Sequence, residues 1–402
     1  MMDQLQALAD WVTSWLCKRL LVSLLARSFS PLLVGGRLSE IALNVQEACG
    51  AKTLLVESLD NIRYATGFTG SSATLIVRAE HSILITDGRY GHQARDQTAS
   101  SGADITVIEV RSAAEIADAI VSELSGAGRC AFDPAEISVG RFRELQTGSD
   151  VEFVSCVGVI AGQRRSKSAP EIERISYAAH TTDAALSDVE KLMLSVDSEV
   201  ITERDVRDEL EYRMRRHGAD GPSYETIVAT GANGALPHHR PTATRLKSGD
   251  AVVIDVGALV DGYHSDMTRT FLLGDVDPVL SKIHALVLES QQAGVRAVRA
   301  GVIASDIDAL CRSIISDAGY GPEFVHSTGH GVGLQIHESP WLRSTFNEPL
   351  RANEVVTVEP GVYRVGLGGV RIEDLLLVTA TGSTTLTQFP KDNLCLQSQQ
   401  MI

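Results

Sequence analysis

Between Ile254 and Phe271 the chain reads IDVGALVDGYHSDMTRTF, and two carboxylates in it, Asp255 and Asp266, are spaced in a way that invites chemistry. β-Branched and apolar residues from Val252 to Val256, an Asp261-Gly262 turn and a second β-prone run from Tyr263 to Phe271 predict a hairpin. A two-residue turn pairs Val260 with Tyr263, Gly257 with Asp266 and Asp255 with Thr268, which brings both aspartates to one face. Like charges on one face of a strand pair need a cation, a shared proton or good hydration. Taken alone, the stretch is either a metal site or a solvated rim.

Histidine tips the balance. Of eleven histidines, those at 238, 239, 264, 284, 326, 330 and 337 fall within a quarter of the chain, and imidazoles gathered beside carboxylates make the composition of a metal or acid-base site. His330 and His337 are seven residues apart, roughly 23 Å in an extended strand, but Gly331 and Gly333 allow a bend that brings them together. The same glycines lack the Lys-Ser/Thr signature of a phosphate cradle. A second acidic hairpin follows. Val355 to Glu359 is β-prone, Pro360-Gly361 breaks it, and Gly369 to Val378 is expected to return as a strand carrying Arg371 and Glu373 on one face. Carboxylates inside apolar runs such as VVIDVG, VTVEPG and VRIEDLLLV must be compensated. Four of them with one imidazole suit two cations of the Mn²⁺, Zn²⁺, Co²⁺ or Fe²⁺ kind rather than Ca²⁺. Two such ions generate a hydroxide nucleophile near neutral pH, which is hydrolytic chemistry.

The elements that must hold these groups are legible around them. From Arg37 an α/β pattern runs through a helix ending at Cys49, strands at Thr53–Val56, Ala73–Val77 and Ser82–Thr86, and a helix at Ala113–Leu124. It carries no cluster of reactive residues, so a supporting or gating domain is expected. Residues 161–168, with Arg164, Arg165 and Lys167, are expected to be a linker. Ser168 and Glu171 form a capping box that opens a long helix. Helices are predicted at Glu203–His217, Pro278–Ala300 and Ser305–Ala318, so that helices followed by a hairpin occur twice. Residues 1–36 form an extension whose apolar run, Leu20 to Ala26, is too short to span a bilayer, and whose early aspartates argue against a signal peptide.

The chain has 402 residues, enough for two domains. A formal charge of −15 disfavours a nucleic-acid role. Six scattered cysteines with no CxxC pair indicate a reducing compartment.

On these residues the sequence resembles the metallopeptidases that include aminopeptidase P, prolidase and methionine aminopeptidase, which share the pita-bread fold. The resemblance spans about residues 37–392, and IDVGALVDGYHSDMTRTF, HSTGHGVGLQIHESP, TVEPGVY and GGVRIEDLLLV match in order. It implies an α+β protein: a creatinase-like α/β domain at 37–160, the linker at 161–168 and a catalytic domain at 169–402. It implies Asp255, Asp266, His330, Glu359 and Glu373 as ligands of two divalent ions, manganese ahead of cobalt or zinc, with Asp266 and Glu373 bridging. It further implies His238 and His337 as stabilisers of the reacting peptide and proton carriers, Glu359 as a proton relay, and His326 and Arg371 as substrate-binding residues, His326 lining the proline pocket and Arg371 orienting the site or a substrate carboxylate. The residues themselves do not separate His238 from His239. His264 is expected to be structural, and Thr268 and Thr270 to anchor Asp266.

Asn61-Ile-Arg-Tyr-Ala-Thr-Gly-Phe-Thr-Gly-Ser71 and Thr86-Asp-Gly-Arg-Tyr90 resemble the N-terminal domain of Xaa-Pro peptidases. The expectation is therefore a cytoplasmic, homodimeric enzyme in which a metal-bridging hydroxide cleaves proline-containing peptides after the first residue, with neither a nucleic-acid nor a membrane partner. Methionine aminopeptidase, which lacks that domain, and a non-catalytic peptide- or protein-binding module are the competing readings. Prolidase and aminopeptidase P are not separated.

Overall fold

Residues 53–155 build a six-stranded sheet ordered Ile105–Val110, Ser82–Asp87, Ala73–Arg78, Thr53–Val56, Arg129–Phe132, Glu152–Ser155. Ala73–Arg78 is antiparallel to both neighbours and the other pairs are parallel; helix Gly91–Ser101 joins Ser82–Asp87 to Ile105–Val110, Val139–Gly148 joins Arg129–Phe132 to Glu152–Ser155, and Ile116–Leu124 crosses from Ile105–Val110 to Arg129–Phe132. The structure is a computed structural model that describes residues 29–194, 200–392 and 395–396. Expectations for residues 1–28, including Cys17, lie outside the described residues. From Leu32 onward the chain forms one compact unit. The helix Gly91–Ser101 escaped the sequence pattern because its buried side is made of Gly91, Ala94, Thr98 and Ser101, with no large apolar residue. Among the described residues no helix is long and apolar enough to cross a membrane.

The second half repeats one plan. Helices Ala169–Met193 and Glu203–Arg216 precede a hairpin of Ala251–Val256 and Met267–Leu273, and helices Pro278–Ala297 and Ala304–Asp317 precede a second hairpin between Val355 and Val378. The Ser168/Glu171 capping box opens the first helix as expected. Asp261 and Gly262 take φ 44° and 71°, the left-handed pair a two-residue hairpin turn requires. The register follows: Val260 faces Tyr263 and Asp255 faces Thr268.

Both ladders break where the carboxylates stand. In the first, pairing stops at Val256–Met267 and resumes at Ala258–Val260, and continuing the register places Asp266 opposite Gly257. A Cβ on Gly257 would lie 1.9 Å from the Ser265 carbonyl oxygen, so only glycine fits this bend. In the second, Val355–Val358 pairs with Asp374–Leu377, and Gly361–Arg364 with Gly368–Arg371. This corrects the expected continuous strand from Gly369 to Val378. The reason is a change of partners: the Glu373 amide donates to Thr268 O on the first hairpin (3.1 Å) and the Glu359 amide to Thr328 O (2.8 Å).

The stretch 161–168 differs from a solvated linker. Val159–Arg164 is helical, and Arg164, Arg165 and Lys167 are all buried. One apolar cluster runs through the domain junction, joining Leu38, Ile62 and Phe68 to Tyr263, Val332, Leu334, Val355 and Leu375.

Candidate active site

The two broken hairpins and the bend at Gly331 open onto one cleft of about 400 Å³ lined by all nine residues singled out above: His238, Asp255, Asp266, His326, His330, His337, Glu359, Arg371 and Glu373. Asp255 and Asp266 come from the first hairpin, Glu359, Arg371 and Glu373 from the second, and His330 from the short strand Gly329–Gly331.

At the floor, Asp266, His330 and Glu373 are buried and offer ligand atoms that lie within 4.8 Å of one another. His330 fixes the electrostatic problem. Its Nδ1 lies 3.1 Å from the Gly331 carbonyl oxygen, an acceptor only, so that nitrogen carries the proton. Nε2 therefore presents a lone pair to Asp266 Oδ2 at 3.5 Å and to Glu359 Oε1 at 3.3 Å. Burial and the neighbouring His337 hold the imidazole down to about 4, so it is neutral at pH 7. A neutral nitrogen lone pair facing two carboxylates is repulsive unless a proton or a cation lies between them.

The carboxylates tell the same story. Burial pushes Asp266, Glu359 and Glu373 well above the usual carboxylate range, and neighbouring acids add to it: Asp255 and Glu359 against Asp266, Glu373 against Glu359, and Asp266 against Glu373. Among the described residues Arg371 is the one Lys or Arg side chain paired with any of the four acids, through Nη2 to Asp255 Oδ2 at 2.6 Å. Glu373 Oε1 is buried with no hydrogen-bond partner. Four oxygen donors, one imidazole nitrogen and a deficit of positive charge fit divalent cations of the borderline kind.

Around this floor the expected residues separate. His238 is exposed at the cleft, whereas His239 is buried with Nε2 2.9 Å from Glu203 Oε2. Glu203 also accepts from Thr230, Asn233 and Thr242, so His239 belongs to a structural knot. His337 lies edge-on to His330 with centroids 4.4 Å apart and stacks on Trp341, and burial lowers its pKa. His326 donates from Nδ1 to Ser327 O and accepts at Nε2 from Tyr363 OH (2.8 Å each), leaving only its ring to face the cleft. Burial, and then the charge of Arg371, hold it neutral with a pKa near 4. His264 lies away from the cleft, bonded to Ser223 Oγ at 2.8 Å.

Thr268 and Thr270 do not bond Asp266. Thr268 Oγ1 donates to Glu373 Oε2 at 2.7 Å and accepts from Arg371 Nε at 3.0 Å, while Thr270 Oγ1 donates to the Arg371 carbonyl. Strand parity set their face correctly, but the second hairpin crosses closer than any neighbour on their own. Asp266 is instead met by Tyr224, whose hydroxyl lies between Asp255 Oδ1 and Asp266 Oδ1, 2.5 Å from the latter. Tyr224 carried no local signal. Tyr363, which accepts from Arg371 Nη1 at 2.7 Å, lay inside the TVEPGVY block with no role assigned to it.

Known proteins resemble the chain over both halves. The model of metallopeptidase family M24 matches residues 173–380, and that of the creatinase/prolidase N-terminal domain matches residues 42–166. An uncharacterized peptidase of Bacillus subtilis is 36% identical over 348 residues, 86% of this chain and 96% of that protein. The Xaa-Pro dipeptidase of Pyrococcus furiosus is 41% identical over 244 residues, 60% of this chain and 69% of that protein. The solved structure of an Xaa-Pro dipeptidase from Bacillus anthracis superposes with a TM-score of 0.84 at 33% identity, covering 90% of this chain and 99% of that one.

Proposed function

We propose that this chain, which belongs to metallopeptidase family M24, hydrolyses the Xaa-Pro bond at the N-terminus of peptides with divalent metal ions held by Asp255, Asp266, His330, Glu359 and Glu373. The observation that carries the reading is the His330 Nε2 lone pair aimed at Asp266 and Glu359 in a cluster of buried acids. Divalent cations bound there lower the pKa of water and polarise a carbonyl oxygen.

The chain's own residues do the rest. Asp266 and Glu373 come from different hairpins, so the ions would be held by both hairpins together. Glu359, kept proton-hungry by burial, takes a proton at its carboxylate and passes it on. His238 and His337 donate hydrogen bonds to the reacting carbonyl and the charge that develops on it. Trp341 and His330 hold the His337 ring in place. The neutral ring of His326 offers an apolar wall for proline. Arg371 is spent on Asp255, Thr268, Tyr363 and the Pro237 carbonyl, so it orients the site rather than the substrate.

Manganese is the favoured ion, with cobalt or zinc as alternatives. The scattered cysteines support a cytoplasmic setting, and a homodimer rests on the family resemblance. Incubation of the metal-loaded protein with Gly-Pro and Ala-Pro-Ala tests the reading. Release of the first residue is expected; no release from either peptide with Mn²⁺, Co²⁺ or Zn²⁺ supplied contradicts it. The ratio of the two turnovers separates a dipeptidase from an aminopeptidase.

A further inference from the structure

Directly behind the cleft lies a second cluster of charge that touches none of the reacting groups. Glu338 follows His337 in sequence and is buried. Its carboxylate accepts from Lys167 Nζ at 2.7 Å and from Arg164 Nη2, both buried as well. Arg164 Nη1 donates onward to Asn61 Oδ1 at 2.8 Å, and Asn61 Nδ2 donates to Glu136. A chain of side chains thus runs from the N-terminal domain, through the segment joining the domains, to the residue next to His337.

The loop that carries His337 is pinned from the same side. Gln335 Nε2 donates to Asp60 Oδ2 at 2.9 Å, and Val332 and Leu334 are buried in the apolar cluster that runs through the domain junction. The Glu338 carboxylate fills the space beneath Gly333: a Cβ there would lie 2.4 Å from Glu338 Oε1. Burying three charges to hold a loop is costly, and an apolar packing of similar volume often serves stability as well or better. What the ionic arrangement adds is direction, because each donor fixes one carboxylate oxygen and so the peptide that carries it.

We propose that Glu338, Lys167 and Arg164 are positioning residues for His337, so that the N-terminal domain and the interdomain segment set the geometry of the catalytic cleft. The inference rests on the peptidase reading for the role of His337, but its placement is measurable without turnover.

The test compares wild type, Lys167→Met and Lys167→Arg as full-length protein. In Lys167→Met, kcat for an Xaa-Pro peptide is expected to fall roughly 10- to 100-fold, the scale of a small misplacement of a reacting group. KM is expected to stay within about a factor of two, since the interaction lost is one felt in the transition state. Lys167→Arg restores most of the rate. Acylation of His337 by diethyl pyrocarbonate, followed by peptide mass spectrometry, is expected to speed up several-fold in Lys167→Met while His238 reacts at the wild-type rate. Unchanged His337 acylation, or His238 rising in step with it, overturns the proposal. If wild type cleaves no Xaa-Pro peptide, the peptidase reading fails and the acylation rates alone decide the positioning role. Should Lys167→Met not fold, Lys167→Gln, which removes the charge paired with Glu338 and keeps a neutral donor, is read by the same acylation comparison with the same outcomes deciding.

Discussion

Glu373 and Asp374 are neighbours in sequence and both are buried, yet they live in opposite electrostatic worlds. Asp374 points away from the cleft and is met by Arg269 Nη2 at 2.9 Å, Gln291 Nε2 at 3.0 Å and Lys391. Those cations outweigh the cost of burial, and its pKa is held below the usual carboxylate range. Glu373 points into the cleft, meets Asp266 and Asp255, keeps one oxygen unpartnered and is pushed well above that range. Glu338 belongs with Asp374, its carboxylate lowered by Lys167 and Arg164 despite its burial. At Asp374 and at Glu338 the protein supplies cations to a buried acid, and at Asp266 and Glu373 on the cleft floor it does not. Bound divalent cations would make up that deficit.

Four outcomes would break or sharpen that contrast, beginning with the largest. Asp266→Ala should reduce bound metal and lower Xaa-Pro turnover by more than the roughly 10- to 100-fold that loss of an outer partner costs; metal content equal to wild type would remove Asp266 from the ligand set. On the matched side, Arg269→Met leaves Asp374 short of its main partner and should cost about 3–5 kcal/mol of stability in urea unfolding. Metal stoichiometry should survive that change, and a variant as stable as wild type would show that the pair is not what keeps Asp374 charged.

Thr268→Val removes the hydroxyl that donates to Glu373 and accepts from Arg371, and should weaken metal affinity by roughly 10- to 100-fold in a competition titration with a chelator. The smallest effect concerns pH. In the metal-free protein Asp266, Glu359 and Glu373 are raised, so the folded state binds more protons than the unfolded one above the ordinary carboxylate range, and stability falls as pH rises through that window. Metal displaces those protons, so the difference in Tm between metal-loaded and chelator-treated protein should be larger at about pH 8 than at about pH 5. A difference that shrinks with pH would mean the acids are not the ligands.

What could be read in the sequence was what local rules decide. The Asp261-Gly262 turn fixed the register of the first hairpin, and with it the shared face of Asp255 and Asp266, because a two-residue turn with both φ positive admits one pairing. The repeat of helices and hairpin, the Ser168 cap and the convergence of nine residues on one cleft followed from similar patterns and from the resemblance. What depended on distant partners was not legible. His238 and His239 look alike until Glu203 claims the second. Arg164 and Lys167 resemble a solvated linker because the acid that buries them, Glu338, lies more than 170 residues downstream. The break in the second ladder comes with the hairpins bonding each other at Glu373–Thr268, which no strand pattern records, and Tyr224 enters the site from a loop with no periodicity at all.

If the acids of the cleft floor hold a pair of ions, metal content measures it most directly. After loading with Mn²⁺ and removal of free ion, plasma mass spectrometry should find two ions per chain in wild type and a clear loss in Glu373→Gln. A wild-type protein that retains no stoichiometric metal, or a Glu373→Gln variant that retains as much as wild type, would contradict it.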